Sequence, residues 1–339
     1  MADQELYPLQ IQHQLVPRIW GGQRLPELFG AGDAAVVNPS EPSQPIGEAW
    51  LVYEQNVVLN GIWAGQSLAS VTQQLGPQLI GTRSFAHYGV DFPLLIKFLD
   101  VNQNISIQVH PDDAYAHTRE ADSGFHGKTE AWYILDTRPG ATIIHGLLEA
   151  TTPRIFADAL ANDACETMLR FVGVRKDDTI LVPAGTIHAI NAGVLLYEVQ
   201  QKSDLTYRVY DYGRQDTKTG QPRELHIDKA LDVIDFSRAT FMPQDPYPIE
   251  PDGSRVRLTT CPFFTLERWN LTAARGVAWE VNPATLEILT VIEGSVTLEW
   301  GGGSLPLAYG ASVVLPAQLG ACHLASPAPA RVLRVFIPG

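Results

Sequence analysis

A chain of 339 residues, 45% hydrophobic and 18% charged, is long enough for two domains or for one large domain with an insertion. That apolar fraction is the globular norm and excludes a disordered, collagenous or long coiled-coil chain. The formal net charge is −13, from 24 basic and 37 acidic side chains with no Lys/Arg cluster, so nucleic acid finds no basic footprint.

No apolar run approaches the ~20 residues that cross a bilayer, and no membrane span is expected. The first ten residues, MADQELYPLQ, lack the basic start and apolar stretch of a secretory signal, and the expected compartment is the cytoplasm. Cys165, Cys261 and Cys322 form no CxxC motif and read as small packing residues.

In chain order, strand patterns occur at 92–101 (FPLLIKFLDV), 105–110 (ISIQVH) and 130–135 (EAWYIL). A helix is expected over 151–163, where Thr152 and Pro153 suit a cap and a first turn. Strands resume at 179–184 (TILVPA), 195–200 (LLYEVQ) and 206–212 (TYRVYDY), followed by a helical pattern over 224–235. Many short strands divided by turns predict a mainly β fold built from jelly-roll β-barrel units. The stretch 240–253 carries four prolines without periodicity and reads as a linker. This divides the chain into 1–240, with a small helical insertion at about 147–170, and a second strand-rich unit at 254–339. Segments 287–300 and 310–318 repeat the rhythm of 132–145 and 177–185, which suggests two related units.

The chemistry starts with ISIQVH. Side chains alternate along a strand, so Ser106, Gln108 and His110 share a face opposite Ile105, Ile107 and Val109. Lys128 and Glu130 share a face of the next strand, Glu198 and Gln200 share another, and Lys97 and Arg208 interrupt apolar strands. A single strand histidine or glutamate is usually a satisfied or solvated side chain. Several on interior strands of one barrel need a common reason. Gln108, His110, Glu130 and His188 offer N and O donors suited to a divalent metal, zinc first, with iron and manganese as alternatives. Lys97 and Arg208 would then hold an anion.

Here the sequence becomes recognisable. PAGTIH at 183–188 resembles the second cupin motif, although Asp177 stands where that motif usually has glycine and Asn191 comes one residue early. The first motif has the variant form Gln–x–His, with a glutamate twenty residues after His110. With SIQVHPDD, GKTEAWYIL and EVQQKSDLTYRVYDYGR, this resembles the type I mannose-6-phosphate isomerases over residues ~15–230, in a short bacterial form. The resemblance implies a 1–240 catalytic cupin domain and a degenerate cupin-like domain at 254–339. It implies one Zn2+ per chain on Gln108, His110, Glu130 and His188. It gives Lys97 and Ser106 to substrate and phosphate, and Lys128, Glu198 and Arg208 to the sugar pocket as catalytic candidates. Glu48 and Trp50 also match family positions, without a role.

The implied reaction interconverts mannose 6-phosphate and fructose 6-phosphate by moving a proton between C2 and C1 through a cis-enediol. Arg208 would stabilise the developing oxyanion, while Glu198 and Lys128 would share the proton shuttle and ring opening. Two alternatives remain. His110, Glu130 and His188 alone make the two-His–one-carboxylate triad of a non-haem iron dioxygenase. A sugar-phosphate-binding cupin without turnover is the other. The expected partner is a small phosphosugar, and monomer and homo-oligomer stay equally open. The second unit, with only His323 beside Cys322, is expected to be structural.

Overall fold

Eight consecutive buried residues form the strand Leu94–Val101, and eight more form Val194–Gln201. Strands of this kind are covered on both faces. The computed structural model, which describes residues 5–30, 36–37, 45–149, 151–216, 219–237 and 244–339, shows what covers them.

Both strands lie inside a seven-stranded sheet ordered Thr179–Val182, Glu130–Thr137, Val194–Gln201, Leu94–Val101, Ile46–Val52, Gln14–Gly22 and Val36–Val37. On one face, Leu94, Ile96, Phe98, Tyr133, Tyr197 and Val199 enter a core with Leu258, Leu266, Ile288 and Val335 of the C-terminal region. On the other face, Leu99, Val101, Trp132, Ile134 and Leu196 pack against Ile107, Val109, Ile143 and Ala189. Those partners belong to a five-stranded sheet ordered Tyr207–Tyr210, Ile107–Val109, His188–Ile190, Thr142–Leu147 and Leu169–Gly173.

The C-terminal region repeats the plan. Its larger sheet places Ser312–Leu315, Glu287–Glu293, Ala330–Phe336 and Thr265–Leu271 side by side, the same succession as the four strands that open the first sheet. A four-stranded sheet, containing Val277–Glu280, Ala321–Ala325, Val296–Trp300 and Gly303–Leu307, closes a third core around Trp269, Leu289, Leu298 and Val332. The expected mainly β, jelly-roll-like architecture is present as paired open sheets; among the described residues none closes into a barrel. The strand Leu9–Ile11 pairs with Ser312–Leu315, so the start of the chain completes the C-terminal sheet. Of the expected linker, residues 240–243 lie outside the described residues.

Both expected helices form, at Pro153–Ala161 and Ile227–Val233, the first capped by the Thr152 side chain on the Ile155 amide. Helices at Leu68–Leu75, Pro77–Ile80, Thr82–Tyr88 and Asp113–Arg119 were not legible in the sequence. The first three are short and broken by Gly76 and Gly81 at positive φ, so no long amphipathic period develops. They cover one side of the shared core with Leu68, Val71, Leu79 and Ile80. No helix among the described residues is long and apolar enough to cross a membrane.

Asp177, the departure from the glycine of the motif, has φ +74°, the left-handed region that favours glycine. Its carboxylate accepts from Tyr133 Oη at 2.5 Å and from Arg331 Nη1 at 3.1 Å, linking the two regions. Asp177→Ala loses these bonds and keeps a Cβ in a strained backbone, so it lowers unfolding free energy by about 1–2 kcal/mol. Asp177→Gly loses the same bonds and relieves the backbone, and costs less. Urea unfolding of the two variants checks this, and equal losses contradict the backbone part of the account.

Candidate metal centre and substrate pocket

The space between the first two sheets is apolar at one end and polar at the other, where a cavity of about 320 Å³ opens. Its walls follow from strand alternation. The same face of the seven-stranded sheet that buries Leu99 and Trp132 carries Lys97, Glu130 and Glu198 further along. The five-stranded sheet contributes Gln108, with His188 directly opposite it on one side and Arg208 on the other.

His110, Glu130 and His188 come together, all buried, with one donor atom from each within 4.8 Å of the others. Glu130 reaches across from one sheet to two imidazoles on the other side, its oxygens 3.6 Å from His110 Nε2 and 3.4 Å from His188 Nε2. Each ring is tied from behind. His110 Nδ1–H donates to the Leu205 carbonyl and His188 Nδ1–H to the Thr186 carbonyl, both at 2.8 Å. These bonds fix the tautomer and turn both Nε2 lone pairs toward Glu130. Burial pushes both histidines down, His188 to about 4 and His110 well below its ordinary value, so both are neutral, as ligands must be.

Glu130 Oε2 is buried and pairs with Lys128 Nζ at 2.7 Å, and the same ammonium lies 2.9 Å from His110 Nε2. Gln108 Nε2 stands 3.4 Å from His188 Nε2; turning the amide over brings its oxygen to that point. Two neutral imidazoles with oriented lone pairs, a buried carboxylate between them and an amide fit a divalent metal of the zinc class.

Beside this cluster, Lys97 and Glu198 face each other across adjacent strands at 3.1 Å. Lys97 also donates to Gln200 Oε1 at 2.8 Å, and Trp132 Nε1 to Glu198 Oε2 at 3.1 Å. Burial lowers Lys97, but the carboxylates of Glu198 and Glu48 outweigh it and keep the ammonium charged. Burial raises Glu198 above the usual carboxylate range, against the pull of Lys97. Ser106 Oγ donates to Gln108 Oε1 at 3.3 Å. Arg208 donates to the Glu224 carbonyl at 2.9 Å, and its Nε is buried without a partner among the described residues.

All nine predicted site residues therefore meet in one place. Lys97, Ser106, Gln108, Lys128, Glu130, Glu198 and Arg208 line the cavity, and His110 and His188 stand behind Glu130. Sequence reasoning missed Arg18, Arg223 and the part played by Glu48. Arg18 grips Glu48 with Nε at 2.9 Å and Nη2 at 3.0 Å, and Trp50 Nε1 donates to the same carboxylate at 2.6 Å. Against burial, Arg18 and Lys97 hold Glu48 down to about 2. The lining holds five cations (Arg18, Lys97, Lys128, Arg208, Arg223) and four carboxylates (Glu48, Glu130, Glu198, Asp204), so 5 − 4 = +1 inside a chain of −13. An anionic small molecule finds a locally positive cavity.

The depressed histidines set a pH dependence. Between an unfolded value of about 6.5 and the folded value of about 4 for His188, the unfolded chain binds protons that the folded chain refuses. Stability contributed by the neutral ring is complete above the upper value and is lost as pH falls through this window. Denaturant unfolding of the metal-free protein at pH 7, 6 and 5 should give falling midpoints, and a flat series contradicts the buried neutral pair.

Comparison with known proteins agrees with this geometry. Residues 8–144 match the family model for the type I phosphomannose isomerase catalytic domain, and residues 255–336 match that for the mannose-6-phosphate isomerase cupin domain. The chain is 36% identical over 320 residues to mannose-6-phosphate isomerase ManA of Bacillus subtilis, covering 92% of this chain and 94% of that one. It is 33% identical over 313 residues to the mannose-6-phosphate isomerase of Streptococcus mutans, covering 91% and 92%. The crystal structure of the Bacillus subtilis mannose 6-phosphate isomerase superposes with a TM-score of 0.83 at 32% identity, covering 97% of this chain and 99% of that one. Matched from end to end in sequence and in fold, the chain belongs to the type I mannose-6-phosphate isomerase family.

Proposed function

We propose that this protein is a cytoplasmic, zinc-dependent isomerase that interconverts mannose 6-phosphate and fructose 6-phosphate. The observation that carries the reading is the single cavity in which a buried His–Glu–His set adjoins Lys128, the Lys97–Glu198 pair and Arg208. Gln108, His110, Glu130 and His188 would hold the catalytic Zn2+ of the chain, which would supply Lewis acidity there.

The remaining work falls to the chain. Isomerisation takes a proton from C2 of the open-chain aldose and delivers it to C1, while O1 gains a proton and the O2 hydroxyl gives one up, so the cis-enediol leads to a C1 alcohol and a C2 ketone. Glu198, lifted by burial, has a carboxylate that can take and return a proton. Lys128 is the matching acid for ring opening. The Arg208 guanidinium, which never titrates away, stabilises the oxygen that becomes negative. Lys97 and Ser106 are the further substrate contacts, with Lys97 in the position that the family resemblance gives to phosphate. The dioxygenase and binding-protein readings lose support because the matched relatives are named as isomerases along nearly the whole chain.

Assay of fructose 6-phosphate formation tests the reading. Turnover should stop on chelation and return with zinc, His188→Ala should lose the zinc of this centre together with activity, and Arg208→Lys should lower kcat/KM about 10²–10³-fold. Zinc-loaded protein without turnover, or bound iron with oxygen consumption, overturns it.

The domain division belongs to the same proposal, with 1–240 as the catalytic cupin domain and 254–339 as a degenerate, structural one. Register supports it. Lys97 pairs with Glu198 in the first sheet, and Glu267 pairs with Arg334 on the corresponding strands of the second, with the charges exchanged. Glu287 opens its strand as Glu130 does, and Arg334 binds it at 2.6 Å and Glu267 at 3.0 Å. A guanidinium thus neutralises the carboxylates that line the corresponding inner face. Arg334→Met strands two buried carboxylates and should cost about 3–5 kcal/mol on denaturant unfolding, with KM unchanged. A loss below about 1 kcal/mol contradicts a buried, fully paired cluster.

A further inference from the structure

A second cluster of metal-type ligands lies outside the cavity. Asp113 and His117 stand one turn apart on the helix Asp113–Arg119, and His126 approaches them from the segment that leads to Lys128. One donor atom from each of the three lies within 4.8 Å of the others. His117 Nε2 and His126 Nδ1 are 3.1 Å apart, close to the ~3.3 Å edge expected between two nitrogens bound to a tetrahedral ion at about 2.0–2.1 Å.

The arrangement is held from behind. His126 Nε2–H donates to Asp91 Oδ2 at 3.3 Å, which leaves its Nδ1 as a lone pair directed at His117. The His126 carbonyl accepts from Ser203 Oγ at 2.7 Å, and the Gly127 amide donates to Asp113 Oδ1 at 2.8 Å. A Cβ at Gly127 would stand 2.4 Å from the Asp113 amide nitrogen, so only glycine lets this segment lie against the helix. Carboxylate, imidazole, oriented lone pair and a backing carboxylate are thus in place before any ion arrives. His117 is exposed, so its proton can move from Nε2 to Nδ1 through water as the ion binds, without net proton release.

We propose that Asp113, His117 and His126 form a second divalent-metal site, of the two-His–one-carboxylate type that takes zinc or a similar first-row ion. It is more exposed than the buried centre and takes the weaker ion of the two. Its occupant ties the helix Asp113–Arg119 to the segment that holds His126, outside the cavity. The site does not depend on the reaction assigned to that cavity.

Zinc titration of chelated full-length protein by calorimetry, repeated with Co2+ for its visible spectrum, tests this. Wild type should bind two ions of distinct affinity. His117→Ala, an exposed change that should leave the fold and kcat intact, should remove the weaker ion and keep the stronger. His188→Ala should do the reverse, so failure of either site is read separately. Asp91→Asn, which removes the carboxylate behind His126, should weaken the second ion about 10-fold or more. One ion in the wild type, or a second ion that survives His117→Ala, overturns the proposal.

Discussion

Charge inside a β-sandwich persists only where another charge meets it, because an unpaired buried ion costs several kcal/mol. That constraint orders this molecule. Lys97 meets Glu198 and Arg18 meets Glu48 across neighbouring strands, and Lys128 meets Glu130 two residues on, where its strand begins. The pairs sit on the inner face of one sheet, at the alternation period that elsewhere buries Leu99, Trp132 and Leu196. The opposite face of the same strands sends Leu94, Ile96, Phe98, Tyr133, Tyr197 and Val199 into the core shared with the C-terminal region. A rigid, doubly covered sheet therefore holds one half of the cavity in place, and the histidines of the facing sheet complete the metal-type cluster.

The two halves of the chain show the same frame put to different use. In the first, the inner-face charges border open volume. In the second, Arg334 closes on Glu267 and Glu287, and the indoles of Trp269 and Trp279 donate to the same two carboxylates. A satisfied ion cluster leaves no acceptor for a ligand. The second half covers the outer face of the cavity-bearing sheet, and it is tied on by the shared core, by Leu9–Ile11 and by the Asp177–Arg331 pair.

Much of this was legible in the sequence because alternation is a strict rule. ISIQVH, GKTEAWYI and LLYEVQ each show polar residues at every second position of an apolar strand; Ser106, Gln108, His110, Lys128, Glu130 and Glu198 face the cavity or its metal-type cluster, and Gln200 accepts from Lys97 beside it. What stayed hidden depended on distant partners. Arg18 meets Glu48 thirty residues away, across a pairing whose register shifts, and nothing local marks either as part of the pocket. Arg223 lies beyond a strand and a turn, in a segment without periodicity. Asp177 was visible as a departure from a motif, but its left-handed backbone and its link to Arg331 exist only in the fold. The short helices between residues 68 and 88 gave too few turns for an amphipathic signal.

The central claim is that the cluster joining the two sheets is the metal centre of an active isomerase. Anomalous diffraction at the zinc edge measures this most directly, on crystals loaded with one equivalent of zinc and shown to turn over mannose 6-phosphate. The account predicts one strong peak within bonding distance of His110 Nε2, His188 Nε2, a Glu130 oxygen and the Gln108 amide oxygen. Crystals that turn over substrate with the peak elsewhere, and none between the two sheets, contradict it.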